Sequence, residues 1–341
     1  MSTQWMIKTH GDPLGTVRGF VKTVWQAFDF ERMLVPMNGH IDDTGPRLID
    51  DPEELTSLNP FAPLMPINAA KLILDLVEGD SPKVGAMLRP CEMRTLIEMT
   101  KQNGFDTENL LTLGVDCLGT LPMDEYQWRA ERKGSPKGLT QEALQFSRQG
   151  GIVRYRYRSA CQVCISPEAT AADINIGILG LPVRQHALIT ISDDTVAEKL
   201  KLSEHAETEI DAELLEGHRR VASRLVQRSE NTRERIANGL AELLPENVEA
   251  LIDQLESCGD CSTCLNVCPL CDIHYPRRDE DGQYQKSDIM RWMISCSGCG
   301  ICEQSCPQHL PLTIIFNHIQ TQLAEEFQYQ AGRSLDELLP L

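Results

Sequence analysis

The sequence predicts an α/β domain, then a helical connector, then a mainly α-helical, cysteine-rich unit. Three observations carry this. Strand-like apolar runs alternate with a helical stretch between Val84 and Gly180. Between about Thr195 and Glu256 glycine and cysteine nearly vanish, while Ala, Leu, Glu and Arg dominate at helical spacing. After that the pattern C-x2-C-x2-C-x3-C-P occurs twice. The expected boundaries are 1–194, 195–250 and 251–330, with a tail at 331–341.

Taken in order, Gly15–Phe28 reads as a helix, because Val17, Phe20, Val21, Val24 and Trp25 fall on one face. Leu34–Pro36 reads as a short strand, and a second helix runs from Asn68 to Val77, ended by Glu78–Gly79. Val84–Leu88, Leu111–Val115 and Ile174–Leu179 are strands, and Glu92–Gln102 is a helix. The connector is expected to break at Gly217, Gly239 and Pro245, and its interleaved charges mark a solvated face. Helices at Glu246–Glu256 and Leu312–Phe327 flank the cysteine motifs, and Lys286–Ile294 lies in an arm between them.

Composition narrows the function. The 341 residues are 41% hydrophobic, enough for a real core. With 50 acidic against 32 basic residues the net charge is −18, which disfavours nucleic-acid phosphates and anionic lipid and suits a basic protein partner. Met1–Asp12 has no apolar run of signal length, and no window approaches a membrane span, so a cytoplasmic location is expected. There, thirteen cysteines stay reduced and serve as ligands or reactive groups.

Cys258, Cys261, Cys264 and Cys268 followed by Pro269 form the first copy of the motif, and Cys296, Cys299, Cys302 and Cys306 followed by Pro307 form the second. Thiolates three residues apart on a tight loop can wrap three iron corners of one cubane, and soft sulfur suits iron–sulfur chemistry. In two-cluster ferredoxins the fourth cysteine ligates the other cluster. The expected sets are therefore Cys258, Cys261, Cys264 and Cys306 for one [4Fe-4S] cluster, and Cys268, Cys296, Cys299 and Cys302 for its neighbour. A pair of zinc sites is the competing reading. Cys271 reads as a bystander thiol.

Four cysteines besides these remain: Cys91, Cys117, Cys161 and Cys164. Each follows a strand-like run, and strand ends of an open α/β sheet converge on one edge. They could hold a third cubane, or be a redox-active Cys161–Cys164 pair with two core cysteines.

The strings Ala86-Met87-Leu88-Arg89-Pro90-Cys91-Glu92-Met93-Arg94, Leu113-Gly114-Val115-Asp116-Cys117-Leu118-Gly119 and Cys161-x2-Cys164, with Ala172-Asp173-Ile174-Asn175-Ile176-Gly177, resemble the C-terminal domain of the beta subunits of coenzyme F420-reducing hydrogenase and formate dehydrogenase. The resemblance spans about Gly39 to Pro182. It implies that 1–194 is a flavin-binding domain, usually with FAD, and that the four cysteines hold a third [4Fe-4S] cluster. It also implies an oxidoreductase subunit active within a complex, trading a two-electron carrier such as coenzyme F420 or NAD(P)H for single electrons. Many relatives carry ferredoxin cysteines at the N-terminus, whereas Met1 to Pro90 has none. The C-terminal unit is instead similar to the helical two-cluster subunit of heterodisulfide reductases. Expected partners are formate dehydrogenase, hydrogenase or heterodisulfide-reductase-like subunits, and ferredoxin. The alternative is a connector without an active site, wiring two larger subunits.

No G-x-G-x-x-G follows a strand, so flavin binding rests on the resemblance. Candidate contacts are Asn59, as a hydrogen-bond donor, Gly85, as a point of close backbone approach, and Arg89, for phosphate. Turn formation, packing and surface charge are the competing roles. Glu92 caps a helix or tunes a nearby cluster, Asp173 is expected in a structural turn, and His274 and His309 lie near cluster cysteines.

Overall fold

The computed structural model describes residues 3–39, 43–77, 83–149, 156–201, 211–259 and 261–340. A seven-stranded sheet organises the first half: β1 (Thr3–Lys8), β2 (Arg32–Met37), β3 (Gly45–Ile49), β4 (Val84–Leu88), β5 (Leu110–Val115), β6 (Ile174–Gly177) and β7 (His186–Ile191), in the order β1-β7-β6-β5-β4-β2-β3. The central β2-β4-β5-β6 pairings are parallel, and β1, β7 and β3 join antiparallel at the edges. Every residue of β4 and β6 is buried, as a parallel sheet covered on both faces requires.

The pleat divides the strands between two cores. Met33, Val35, Met87, Leu113 and Val115 face helix Pro13–Phe28, whereas Leu34, Val84, Ala86 and Leu88 face helix Pro90–Asn103. Helix Pro13–Phe28 begins at Asp12, whose carboxylate accepts from the Gly15 amide. The second core continues into the C-terminal helices through Leu251, Ile289, Trp292, Ile315 and Phe316.

Strand Val84–Leu88 lies where the sequence places it. The stretch from Asn68 splits into a 3-10 turn, Ala69–Leu72, and a single α-turn, Leu74–Val77; its expected end at Glu78–Gly79 lies outside the described residues. Strand β6 stops at Gly177, short of Leu179, because the Ile178 and Leu179 amides turn to donate to Asp116 Oδ2 at 2.8 and 3.1 Å. The run before Cys161 falls mostly outside the described residues.

Gly217 does not break the connector. Helix Ala212–Gly239 runs straight through it and adds Val221, Ala222 and Leu225 to the first core. The helix backbone there passes close to Gly180: a Cβ on Gly180, where φ is +71°, would stand 2.4 Å from the Gly217 carbonyl oxygen, whereas a Cβ on Gly217 would meet only the Gly180 carbonyl oxygen at 3.7 Å. The cysteine-rich unit is built from helices Val248–Ser257, Lys286–Ile294 and Leu312–Phe327 around single-turn helices that carry the motifs. Among the described residues no helix is long and apolar enough to cross a membrane.

Candidate metal centres

The twelve motif cysteines gather in fours around three cavities. Cys258, Cys261, Cys264 and Cys306 line the first, and Cys268, Cys296, Cys299 and Cys302 the second. Each motif thus gives its fourth cysteine to the other's cavity. The crossing follows from local geometry. A left-handed residue after the second cysteine of each motif, Ser262 (φ +47°) and Gly300 (φ +68°), curls the loop. Cys268 then precedes the Pro269 that opens the next helix, so the backbone leaves the loop extended.

Cys91, Cys117, Cys161 and Cys164 line the third cavity. Cys91 sits in the first turn of helix Pro90–Asn103 directly after β4, Cys117 lies two residues beyond β5, and Cys161 belongs to the turn Ser159–Gln162. Cys299 lines this cavity as well as the second, so the two share a wall.

The donor chemistry in each cavity is four thiols. Among the described residues no group of three His, Cys, Asp or Glu side chains is placed to hold a single metal ion. Soft thiol donors in fours suit iron–sulfur chemistry. Burial pushes the Cys117 and Cys296 thiols up to about 12 and Cys264 to about 11. Deprotonation therefore needs a cation arriving with it.

Three cysteines are tuned the other way: Cys161, Cys268 and Cys261, the last through hydrogen bonds from Thr263. Burial opposes ionisation of Cys161, but the charge of Arg158 and the Thr120 hydrogen bonds outweigh it and lower its pKa. Thr120 N–H stands 3.4 Å from its sulfur. Cys268 falls to about 7 because the Cys271 thiol donates to it, and Trp292 Nε1–H adds a second donor at 3.4 Å. Cys271 itself is buried against Cys268.

Arg158, which sequence reasoning passed over, is buried where the second and third cysteine sets meet. Its Nε donates to Thr120 Oγ1 at 2.8 Å and its Nη1 to Gln304 Oε1 at 3.3 Å, and its charge acts on Cys161, Cys91 and Cys299. No spacing signal marks it beyond its position three residues before Cys161.

Among the described residues, none of the three flavin candidates lines the three cysteine cavities. Asn59 is fully buried and donates to Thr140 Oγ1 at 2.7 Å, so it is a core residue. A Cβ on Gly85 would strike the Phe30 ring at 2.7 Å, so its smallness serves packing. Arg89 caps helix Pro90–Asn103 and donates to the Ala62 carbonyl at 2.8 Å. Glu92 takes the capping role, accepting from the amides of Arg89 at 2.8 Å and Ala69 at 3.2 Å. Asp173 accepts from Thr112 N–H at 2.7 Å and ties β6 to β5. His274 faces Asp288 at 3.2 Å, and His309 occupies a left-handed turn after Cys306.

A larger cavity, about 540 Å³, opens between Cys164 on one side and Cys296 and Cys302 on the other, with Arg94, Arg233 and Thr313 in its wall. Its lining comes from five separate segments, so no local pattern announces it.

The chain is thus an α/β sheet joined to a helical unit, with twelve cysteines collected in fours at three cavities, a donor set that suits iron–sulfur clusters. No family model matches the chain. It is similar to the F420-dependent formate dehydrogenase subunit beta of Methanocaldococcus jannaschii, 23% identical over 342 aligned positions that cover 86% of this chain and 84% of the relative. It is likewise similar to the F420-dependent formate dehydrogenase 1 subunit beta of Methanococcus maripaludis, 23% identical over 286 positions covering 73% of each. These relatives bear out the resemblance to the formate dehydrogenase beta subunits read from the motifs. A chain of the solved F420-reducing [NiFe] hydrogenase complex from Methanosarcina barkeri aligns with 69% of this chain and 91% of its own length, at 15% identity and a TM-score of 0.44. A likeness that distant carries no argument.

Proposed function

We propose that the chain is a cytoplasmic iron–sulfur flavoprotein subunit of a redox complex. It exchanges electrons between a two-electron carrier, coenzyme F420 or a nicotinamide nucleotide, and one-electron partners of the formate dehydrogenase, hydrogenase or heterodisulfide-reductase-like kind. The observation that carries this reading is the gathering of twelve cysteines around three cavities, two of which share Cys299.

Bound FAD supplies the exchange between a hydride and two single electrons, and three [4Fe-4S] clusters carry electrons singly. The chain's own residues set the conditions. Each thiol set gives four anionic ligands, and Arg158 offsets part of that charge between the second and third sets. The Trp292 and Cys271 donors on Cys268 stabilise its thiolate and favour the reduced, more negative state of whatever it ligates. Burial of the second and third sets keeps bulk water from these groups.

Anaerobic purification with iron and flavin analysis tests the proposal. The expected result is about twelve irons and about one flavin per chain, four irons for each cubane. Protein with about eight irons and no flavin overturns it.

A further inference from the structure

We propose that the cavity between Cys164 and Cys296 is the seat of the flavin nucleotide, with Arg94 and Arg233 as the residues that hold its phosphates. The inference rests on the flavin reading above and adds to it a place and two ligands.

Size comes first. At about 540 Å³ the cavity falls inside the range of roughly 300–1,000 Å³ typical of cofactor sites. Position is second. Cys164 of the third set and Cys296 and Cys302 of the second all reach its wall, so an occupant lies against two of the three cysteine sets at once.

Charge is the strongest argument. In a chain with 50 acidic residues an arginine readily finds a carboxylate. Among the described residues neither Arg94 nor Arg233 is ion-paired. Arg94 spends Nη2 on the Ser297 carbonyl at 2.8 Å and Nη1 on that of Ser166 at 3.4 Å, and Arg233 spends Nη2 on that of Val163 at 3.2 Å. Glu325 also lines the cavity without pairing to either, whereas Arg333 is satisfied by Glu337. Burial lowers the pKa of Arg233 although the charges of Cys164 and Glu230 oppose it, and the nearby charge of Arg94 adds to the lowering. Two guanidinium groups in one wall with no carboxylate at ion-pair distance among the described residues favour an anion between them.

Orphaned atoms in the same wall agree. Arg233 Nε and Thr313 Oγ1 are both buried without a hydrogen-bond partner. Such groups are costly unless a ligand satisfies them. A planar guanidinium offers paired donors that match phosphate oxygens, and a second arginine beside it suits a pyrophosphate.

The test is titration of flavin-stripped full-length protein, kept anaerobic with its iron in place, with FAD and with riboflavin, which has no phosphate. Arg94→Gln and Arg233→Gln should each weaken FAD about ten- to a hundredfold, the worth of one charge-assisted hydrogen bond. Riboflavin affinity and iron content should stay as in the wild type. Arg219→Gln, an exposed arginine on the same helix as Arg233, should change nothing. If Arg94→Gln loses iron, Arg233→Gln decides. FAD affinity within about twofold of wild type in Arg233→Gln overturns this seat while leaving the flavin reading intact; wild-type protein that binds no flavin overturns both.

Discussion

Helix Ala212–Gly239 carries Arg233, and a single buried histidine pins that helix to the sheet. His218 Nε2 stands 3.0 Å from Glu168, and Nδ1 lies 2.8 Å from the Leu179 carbonyl and 3.8 Å from Asp116. Burial alone would keep the imidazole neutral. The Glu168 hydrogen bond and the Asp116 charge outweigh it and raise the pKa from 6.5 to about 9. At 1.36 kcal/mol per unit, protonation of His218 contributes about 3 kcal/mol to holding the helix down. Because the folded pKa lies above the unfolded one, this stabilisation is complete below about pH 6.5 and is lost as pH rises through about 9. Asp116, which desolvation raises from 3.8 to about 6, also favours the folded state at lower pH, but in a lower window.

Hydrogen exchange of helix peptides, corrected for intrinsic rates, reads this directly. From about pH 6 to about pH 9 wild-type protection should fall roughly a hundredfold, the factor that about 3 kcal/mol represents. His218→Gln should start less protected and show no such fall. Equal pH slopes in the two proteins refute the reasoning.

Three further outcomes follow from the same structure. Cys161→Ser should remove one cluster's worth of iron, about four atoms per chain, from a protein that otherwise folds, and unchanged iron and an unchanged EPR spectrum would count against the third site. Trp292→Phe deletes the Nε1–H donor on Cys268 Sγ and should lower the reduction potential of one cluster in an EPR-monitored titration; identical potentials would show that the bond does not tune it. Glu98 is fully buried, accepting from Tyr329 Oη at 2.7 Å and the Gly332 amide at 2.8 Å while pairing with Lys101 at 3.1 Å. Glu98→Ala should therefore cost about 3–5 kcal/mol and free the C-terminal segment to proteolysis, which thermal unfolding and limited digestion measure.

What the sequence made legible was local. Strand Val84–Leu88 and the helix after it announce themselves because an unbroken apolar run meets Pro90 and a capping Glu92 within a few residues. The cysteine motifs are legible for the same reason, their spacing being set by one loop. Strands β1 and β3 escaped notice because they are edge strands whose residues are mostly half-exposed, leaving too little apolar contrast. Gly217 misled because a helix of this length carries one glycine without breaking, and the close approach there is met by the missing Cβ of Gly180, 37 positions away in sequence. Asn59, Gly85 and Arg89 were chosen for their chemistry, and each is consumed by packing, hydrogen bonding or capping.

The 540 Å³ cavity shows why the rest was hidden. Arg94 comes from the helix that begins with Cys91, Arg233 from the connector helix, and Thr313 from the helix that follows the second cysteine motif. His218 ties one of these elements to the sheet, and Glu98 ties the C-terminal segment to helix Pro90–Asn103. A segment that reads as a passive link between two cysteine-bearing units thus supplies a wall of the cavity between them. Loosening it should disturb cofactor affinity before it disturbs iron. His218 holds Asp116 and Glu168, which adjoin Cys117 and Pro167 in the wall of the third cysteine cavity, so iron has to be measured beside flavin. Loss of flavin without loss of iron in His218→Gln would mark the helix as a positioning element for the larger cavity, and loss of both would mark it as a support for the third cysteine set.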